Sequence, residues 1–162
     1  MKRLTPTRVR ALLDYRPSTG QFTWKVDRGG SIKAGDPAGT LDKDGYVRIT
    51  VDYRKRRANR LAWMHYYGRS PRGVIDHKNR ERSDNRIRNL RDVTRAVNCQ
   101  NLGGPLKNNQ TGLLGVSPYR GQFRAHIWIG GRQRLLGVFG TAREAHTVYM
   151  AAKRRHHAGC TI

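Results

Sequence analysis

Acidic side chains are what this sequence has least of: 11 Asp and Glu stand against 33 Lys and Arg, for a formal net charge of +22 and a pI near 11.4. That imbalance says nothing of the fold. It predicts a polyanionic partner, because each neutralised phosphate releases condensed counterions, and nucleic acid is the leading expectation. A membrane surface is disfavoured, since the chain has no long apolar run and no strongly amphipathic basic helix. Cysteine is scarce too. Cys99 and Cys160 are too few for a disulfide framework and lack the paired spacing of a zinc site. The stretch "MKRLTPTRVRALLDY" has no apolar signal-peptide core, so we expect a soluble protein of a reducing compartment, the cytoplasm. Hydrophobic residues reach only 36%, with 8% aromatic, which allows compact small cores rather than one large one.

What is present divides in two. Residues 1–103 carry 24 basic against 10 acidic residues, and residues 104–162 carry 9 against 1, so both parts would face the same partner. "GGPLKNNQTG" at 103–112 clusters Gly, Pro and Asn and loses all periodicity. We therefore expect domains at 1–103 and 112–162, joined by a linker at 104–111. In the first, Thr5 caps a helix with Pro6 in its first turn and Val9, Leu12 and Leu13 on its apolar face. "QFTWKV" reads as a strand and the Gly-rich residues 29–45 as loops. "GYVRITV" is a half-buried strand, with Val47, Ile49 and Val51 on one face and "RKRRA" as its hairpin partner. "RLAWMHYYG" is a short helix stopped by Gly68. A strand end at Val74-Ile75, a polar loop and a helix at about 94–101 follow.

Beyond the linker, "GVSPYRGQFRAHIWIGGRQRLLGVF" holds three strand candidates joined by turns at Pro118–Gly121 and Gly130-Gly131. "TAREAHTVYMAAKRRHHAG" is one helix, with a capping box of Thr141 and Glu144 and a buried stripe of Ala145, Val148, Tyr149 and Ala152. Alternation turns Phe123, Ala125, Ile127 and Ile129 toward that helix, and Gln122, Arg124, His126 and Trp128 away from it. A solvated sheet face needs no ligand, but an exposed Trp among Arg, His and Gln with no acid fits contact with DNA. These residues carry a resemblance. Residues 112–159, above all "GQFRAHI", "LGVF" and "TAREAHTVYMAA", look like the Apetala/ethylene-response-factor DNA-binding domain. The resemblance implies major-groove binding by the sheet through Tyr119, Arg120, Gln122, Arg124, His126, Trp128 and Gln133. Arg134 departs from it, standing at a parity that is usually apolar.

"VIDHKNRERSDNRIRNLRDVTRAVN" sets an Asp-His pair among Asn and Arg. Hydrolysing a phosphodiester needs an activated water and a cation on the leaving oxygen. A neutral imidazole suits the first task, and a carboxylate with an amide oxygen suits a hard ion. Asp76, His77 and the later Asn residues supply these groups, provided the chain turns at Asp76-His77 so that both reach one site. An isolated Asp-His pair on a loop is more often merely solvated, and Asn-rich stretches are usually turn chemistry. The spacing of Asp76-His77, "DNRIRNL" at 84–90 and Asn98, within residues 60–101, resembles the HNH endonuclease family and its homing-type, phage-associated branch. The resemblance extends over most of residues 4–101. It implies a β-hairpin and helix gripping one Mg²⁺ or Mn²⁺, with His77 as general base and Asp76 and Asn98 as metal ligands. Asn89 is then the central Asn that pins the loop and orients His77, and 5′-phosphate and 3′-hydroxyl ends are left. "KNRE" stands where that family commonly has an acidic-Gly turn, and Asn59 where a His often precedes "RLAW".

Six arginines (Arg80, Arg82, Arg86, Arg88, Arg91, Arg95) surround this pattern and are expected on flanking phosphates, Arg86 and Arg88 foremost. Adjacent His156 and His157 diverge by about 100° on a helix and share a ligand poorly. His65 is read as a core histidine, Trp63 and Tyr66 as packing, and Cys99 as structural. The expected fold class is α+β: an N-terminal HNH (ββα-metal) domain, then a three-stranded antiparallel sheet packed on one helix. The expected function is metal-dependent cleavage of double-stranded DNA in a bacterial or phage-infected cytoplasm, by a monomer that nicks or a dimer that cuts both strands. The alternatives are a DNA-binding regulator with an inactive HNH-like part and an RNA-binding basic protein. The sheet face lacks the paired aromatic platforms usual for single-stranded RNA.

Overall fold

The structure, a computed structural model, describes residues 3–161. It divides into two compact units, one up to Arg95 and one from Ala96 on. No helix among the described residues is long and apolar enough to cross a membrane.

In the first unit, α1 (Pro6–Leu12) starts where the Thr5 side chain accepts the Arg8 amide. The chain then goes straight into a hairpin of β1 (Leu13–Arg16) and β2 (Gln21–Trp24), in which Leu13 faces Trp24 and Tyr15 faces Phe22. Leu13 thus opens a strand and does not extend the helix face. Within the Gly-rich stretch expected as loops, β3 (Thr40–Leu41) pairs with β4 (Val47–Val51), which pairs in turn with β5 (Arg54–Arg57). Asp52 and Tyr53, both at positive φ, make the tight turn between β4 and β5. Helix α2 (Ala58–Tyr67) ends at Gly68 in the left-handed conformation. Val9, Leu13, Phe22, Trp24, Ile49, Leu61, Trp63 and Ile75 form the core with their neighbours. Tyr66 is half exposed rather than packed, and His65 is only partly buried. The hairpin of β6 (Val74–His77) and β7 (Leu90–Val93) closes the unit.

The second unit holds α3 (Arg95–Gln100, from Ala96 on), the sheet β8 (Val116–Tyr119), β9 (Gln122–Ile129) and β10 (Arg132–Phe139), and α4 (Ala142–His156). The order is β10-β9-β8, antiparallel. Val116, Ala125 and Ile127 pack against Ala145 and Tyr149 of α4, whose Thr141–Glu144 capping box is complete. The expected linker at 104–111 lies inside this unit, and α3 and the residues after it bond to the chain end. Lys153, 1% exposed, donates to the Leu102 carbonyl at 2.5 Å, and the Gly159 amide donates to Oε1 of Gln100 at 3.1 Å. The β9–β10 pairing shifts register between Leu135 and Gly137, just beyond Arg134. Arg134 lies opposite Ile127 yet is exposed, and the bulge returns Leu136 and Phe139 to the core.

Candidate active site and nucleic-acid face

Asp76 and His77 stand side by side at the end of β6, opposite Arg91 and Leu90. The turn that the sequence reading required between them is absent: both remain in the strand, where consecutive side chains point to opposite faces. The turn begins one residue later, where the Arg80 amide donates to the His77 carbonyl at 2.9 Å and Arg80 takes a positive φ. Both residues are buried, Asp76 at 7% and His77 at 4% exposure.

The polar residues of the intervening loop hold that loop together. Asn89 accepts the Asn79 amide on Oδ1 at 3.0 Å and donates from Nδ2 to the Asp84 carbonyl at 2.8 Å. Its own carbonyl accepts the Lys78 amide at 2.9 Å. Asp84 takes Nδ2 of Asn79 at 2.8 Å and the Arg86 guanidinium at 2.5 and 2.8 Å. That guanidinium, more than any other neighbour, holds the Asp84 carboxyl down at about 2. Arg86 is therefore engaged within the protein, whereas Arg88 is exposed.

Asn85, which the sequence reading did not single out, is the residue that reaches His77. Its Nδ2 donates to the Ser83 carbonyl at 3.1 Å, which leaves Oδ1 at 3.4 Å from Nε2 of His77. It is 2% exposed, and the β1–β2 hairpin holds it from behind. Tyr15 donates its hydroxyl to the Asn85 carbonyl at 2.7 Å, and the Ile87 amide donates to the Pro17 carbonyl at 3.1 Å. Gly20 sits so close that a Cβ there would meet the Asn85 and Arg86 backbone at 2.5 Å. Only tertiary pairing brings these residues together, so no local pattern reports it.

Burial pushes the His77 imidazole below its ordinary value, while Asn85 and the acids Asp76, Asp84 and Glu81 pull it up. Burial is the larger influence, and it favours the neutral ring. The Tyr46 ring lies 6.0 Å from it, with the guanidiniums of Arg57 and Arg82 at 4.0 and 5.1 Å from the Tyr46 ring centre.

Asp76 supplies a carboxylate of the kind a hard divalent ion takes, and Arg91 is seated on its Oδ2, with Nη2 at 2.7 Å. Such an ion keeps most of its waters and needs few protein ligands. No group of three or more His, Cys, Asp or Glu side chains that could hold a metal occurs among the described residues. An ion held here would rest on few protein oxygens, Asp76 among them, and would share Oδ2 of Asp76 with Arg91. Asn98 lies on α3 in the second unit, partly buried, its carbonyl accepting the Asn101 amide at 3.1 Å.

In the second unit the sheet register assembles the other predicted face. Tyr119 pairs with Gln122, Ser117 with Arg124, and Gln133 with Trp128. Trp128 is 59% exposed, and the guanidiniums of Arg120 and Arg124 flank the Tyr119 ring at 5.4 and 5.5 Å. Leu135, opposite His126, and Val138, opposite Arg124, add exposed apolar groups that the sequence reading left out. His126 is half-buried, its Nδ1 without a hydrogen-bond partner, and burial followed by Arg124 pushes its imidazole down. His157 donates Nε2–H to the Trp128 carbonyl at 2.8 Å, so His157 ties the chain end to the sheet.

The family model described as HNH endonuclease matches residues 56–100, from the end of β5 through α2 and the β6–β7 hairpin to α3. The match supports an HNH endonuclease domain, and hence a nuclease-type enzyme, in this part of the chain. No curated protein and no solved structure matches the chain.

Proposed function

We propose that the chain is a metal-dependent DNA endonuclease of the homing, phage-associated type, which cuts or nicks phosphodiester bonds in double-stranded DNA. The observation that carries the reading is His77: a buried imidazole that follows Asp76 and meets Asn85, inside the segment that matches the HNH endonuclease model. His77 takes the proton of the attacking water. Asn85 meets its ring, and Asn89 keeps the loop closed around it. Asp76 would hold one Mg²⁺ or Mn²⁺, with Asn98 the second ligand that the resemblance implies, and the ion when bound would offset charge on the leaving oxygen. The products carry 5′-phosphate and 3′-hydroxyl ends.

The sheet of the second unit reads the major groove as an Apetala/ethylene-response-factor-type domain, through Tyr119, Arg120, Gln122, Arg124, His126, Trp128 and Gln133. Exposed Arg88 takes a flanking phosphate. The net charge of +22 supports the polyanionic partner, and the compartment is the cytoplasm of a bacterium or a phage-infected cell. The test is incubation of supercoiled and target-containing duplex DNA with Mg²⁺, with and without EDTA. Ion-dependent nicking supports the reading; tight binding with no cleavage of either DNA supports the alternative, a regulator with an inactive HNH-like part.

A further inference from the structure

Strand β5 reads "RKRR" and is the outer strand of its sheet. Its register places Arg56 opposite Ile49 and Arg54 opposite Val51, and those two partners are 1% exposed. Arg54 and Arg56 therefore share the core-facing side of the sheet, where apolar residues belong. Their stems lie along the rim of the core and their heads gather at its edge. Two adjoining hollows open there, of about 400 and 280 Å³, both lined by Arg3, Leu4, Arg54 and Arg56. Arg8 lines the first, and Arg57 and Arg60 line the second.

Inward charges on an edge strand have a plain use, which is to stop another strand from adding to it. That use needs one or two solvated charges. Here several arginines line the same two hollows as the apolar side chains of Val51, Leu61 and Met64. Among the described residues the one acid lining either hollow, Asp52, already takes the Arg8 guanidinium, with Nη2 at 2.9 Å. Nε of Arg56 is buried and has no hydrogen-bond partner. A buried donor is costly to leave unmade, and like charges over low-dielectric walls concentrate a positive field. Both call for a multivalent oxyanion, and a planar guanidinium fork matches the oxygens of a phosphodiester.

We infer that this arginine notch, formed chiefly by Arg54 and Arg56, binds the phosphate backbone of duplex DNA as a second anchor that adjoins the surroundings of His77 through Arg57. The ligand class rests on the nuclease reading; the notch itself rests on its own geometry. It would hold one strand of the duplex without reading its sequence.

The experiment is fluorescence anisotropy of a labelled duplex with EDTA present, titrated at several NaCl concentrations, for wild type and the double variant Arg54→Gln/Arg56→Gln. Each phosphate contact adds about 0.9 to the slope of log affinity against log salt, so the double variant should lose roughly 1 to 2 from that slope. Arg54→Lys/Arg56→Lys, which keeps the charge, should retain most of it. If the Gln pair fails to fold, exposed Arg60→Gln reads the same effect with a loss of about 1. A wild-type slope in a folded Gln variant overturns the proposal. Mg²⁺-dependent plasmid nicking by the wild type reports on the nuclease reading independently. Nicking with an unchanged slope removes the notch alone, and a reduced slope without nicking removes the nuclease reading alone.

Discussion

Arg91 closes two nitrogens on one oxygen of Asp76, Nε at 2.8 Å and Nη2 at 2.7 Å, and the two residues are also cross-strand partners in the β6–β7 hairpin. Only 9% of the Asp76 side chain and 20% of the Arg91 side chain are exposed. Removing one member of such a pair leaves a desolvated charge behind, at a cost of about 3 kcal/mol or more. Arg91→Met is therefore expected to lower the unfolding free energy by about 3 kcal/mol in urea denaturation at neutral pH. A loss well under 1 kcal/mol would mean that the pair is solvated and does not hold the hairpin.

The acid–base behaviour of His77 follows from its burial. Its folded-state value lies below the ordinary 6.5, with burial the main cause. The unfolded chain therefore binds the proton more readily than the folded one. Above pH 6.5 the ring is neutral in both states and costs nothing; as pH falls from 6.5 through the folded value, stability is lost. His65 and His126 shift the same way, so the comparison must be with His77→Gln. Between about pH 7 and pH 5 the wild type should lose more stability than the variant. Parallel curves would show that His77 is solvated.

The loop that carries Asn85 is held by the β1–β2 hairpin, and that support can be removed one piece at a time. Tyr15→Phe deletes the 2.7 Å hydrogen bond to the Asn85 carbonyl and should cost about 1–3 kcal/mol, because the acceptor is buried. Gly20→Ala should cost more, since its φ of +79° suits glycine and the new methyl would meet backbone that cannot move aside. Both variants should lower cleavage further than their stability loss alone explains, as measured by single-turnover nicking at a temperature where each is fully folded. Full activity in folded Gly20→Ala would show that the hairpin has no part in placing His77.

How much of this was legible in the sequence depended on how local the signal was. Thr5, Gly68 and the Thr141–Glu144 box marked helix ends correctly, because capping is decided within one turn. The β4–β5 hairpin and the two faces of β9 followed from alternation. Strand β1 was not legible, since Leu13 continues the spacing of Val9 and Leu12 and only its pairing with Trp24 makes it a strand. Asn85 was hidden in a run of Asn and Arg whose members differ only in what they touch. Lys153 stands in the basic end of α4, where nothing local marks it as buried, yet it is held on the Leu102 carbonyl. The bulge after Leu135 left no mark beyond the odd parity of Arg134.

On the sheet of the second unit, Trp128 and Arg124 are the side chains whose loss should weaken DNA binding most. The His157 bond goes to the Trp128 backbone, so Trp128→Ala leaves it in place. Each Ala substitution should weaken binding by about 1–3 kcal/mol, the usual worth of a base contact or an aromatic stack, with no change in the melting curve. Arg132→Ala, opposite Ile129 in the register, should have less effect. Equal affinities for wild type, Trp128→Ala and Arg124→Ala in a gel shift would move the DNA interface off this face.

The most direct test of the nuclease reading compares wild type with His77→Ala on supercoiled plasmid in Mg²⁺, with an EDTA control, after both proteins have been shown to bind the DNA equally. Ion-dependent nicked or linear product from the wild type, lost in His77→Ala and in EDTA, is the predicted result. Equal cleavage by both proteins would contradict the assignment of His77 as the base.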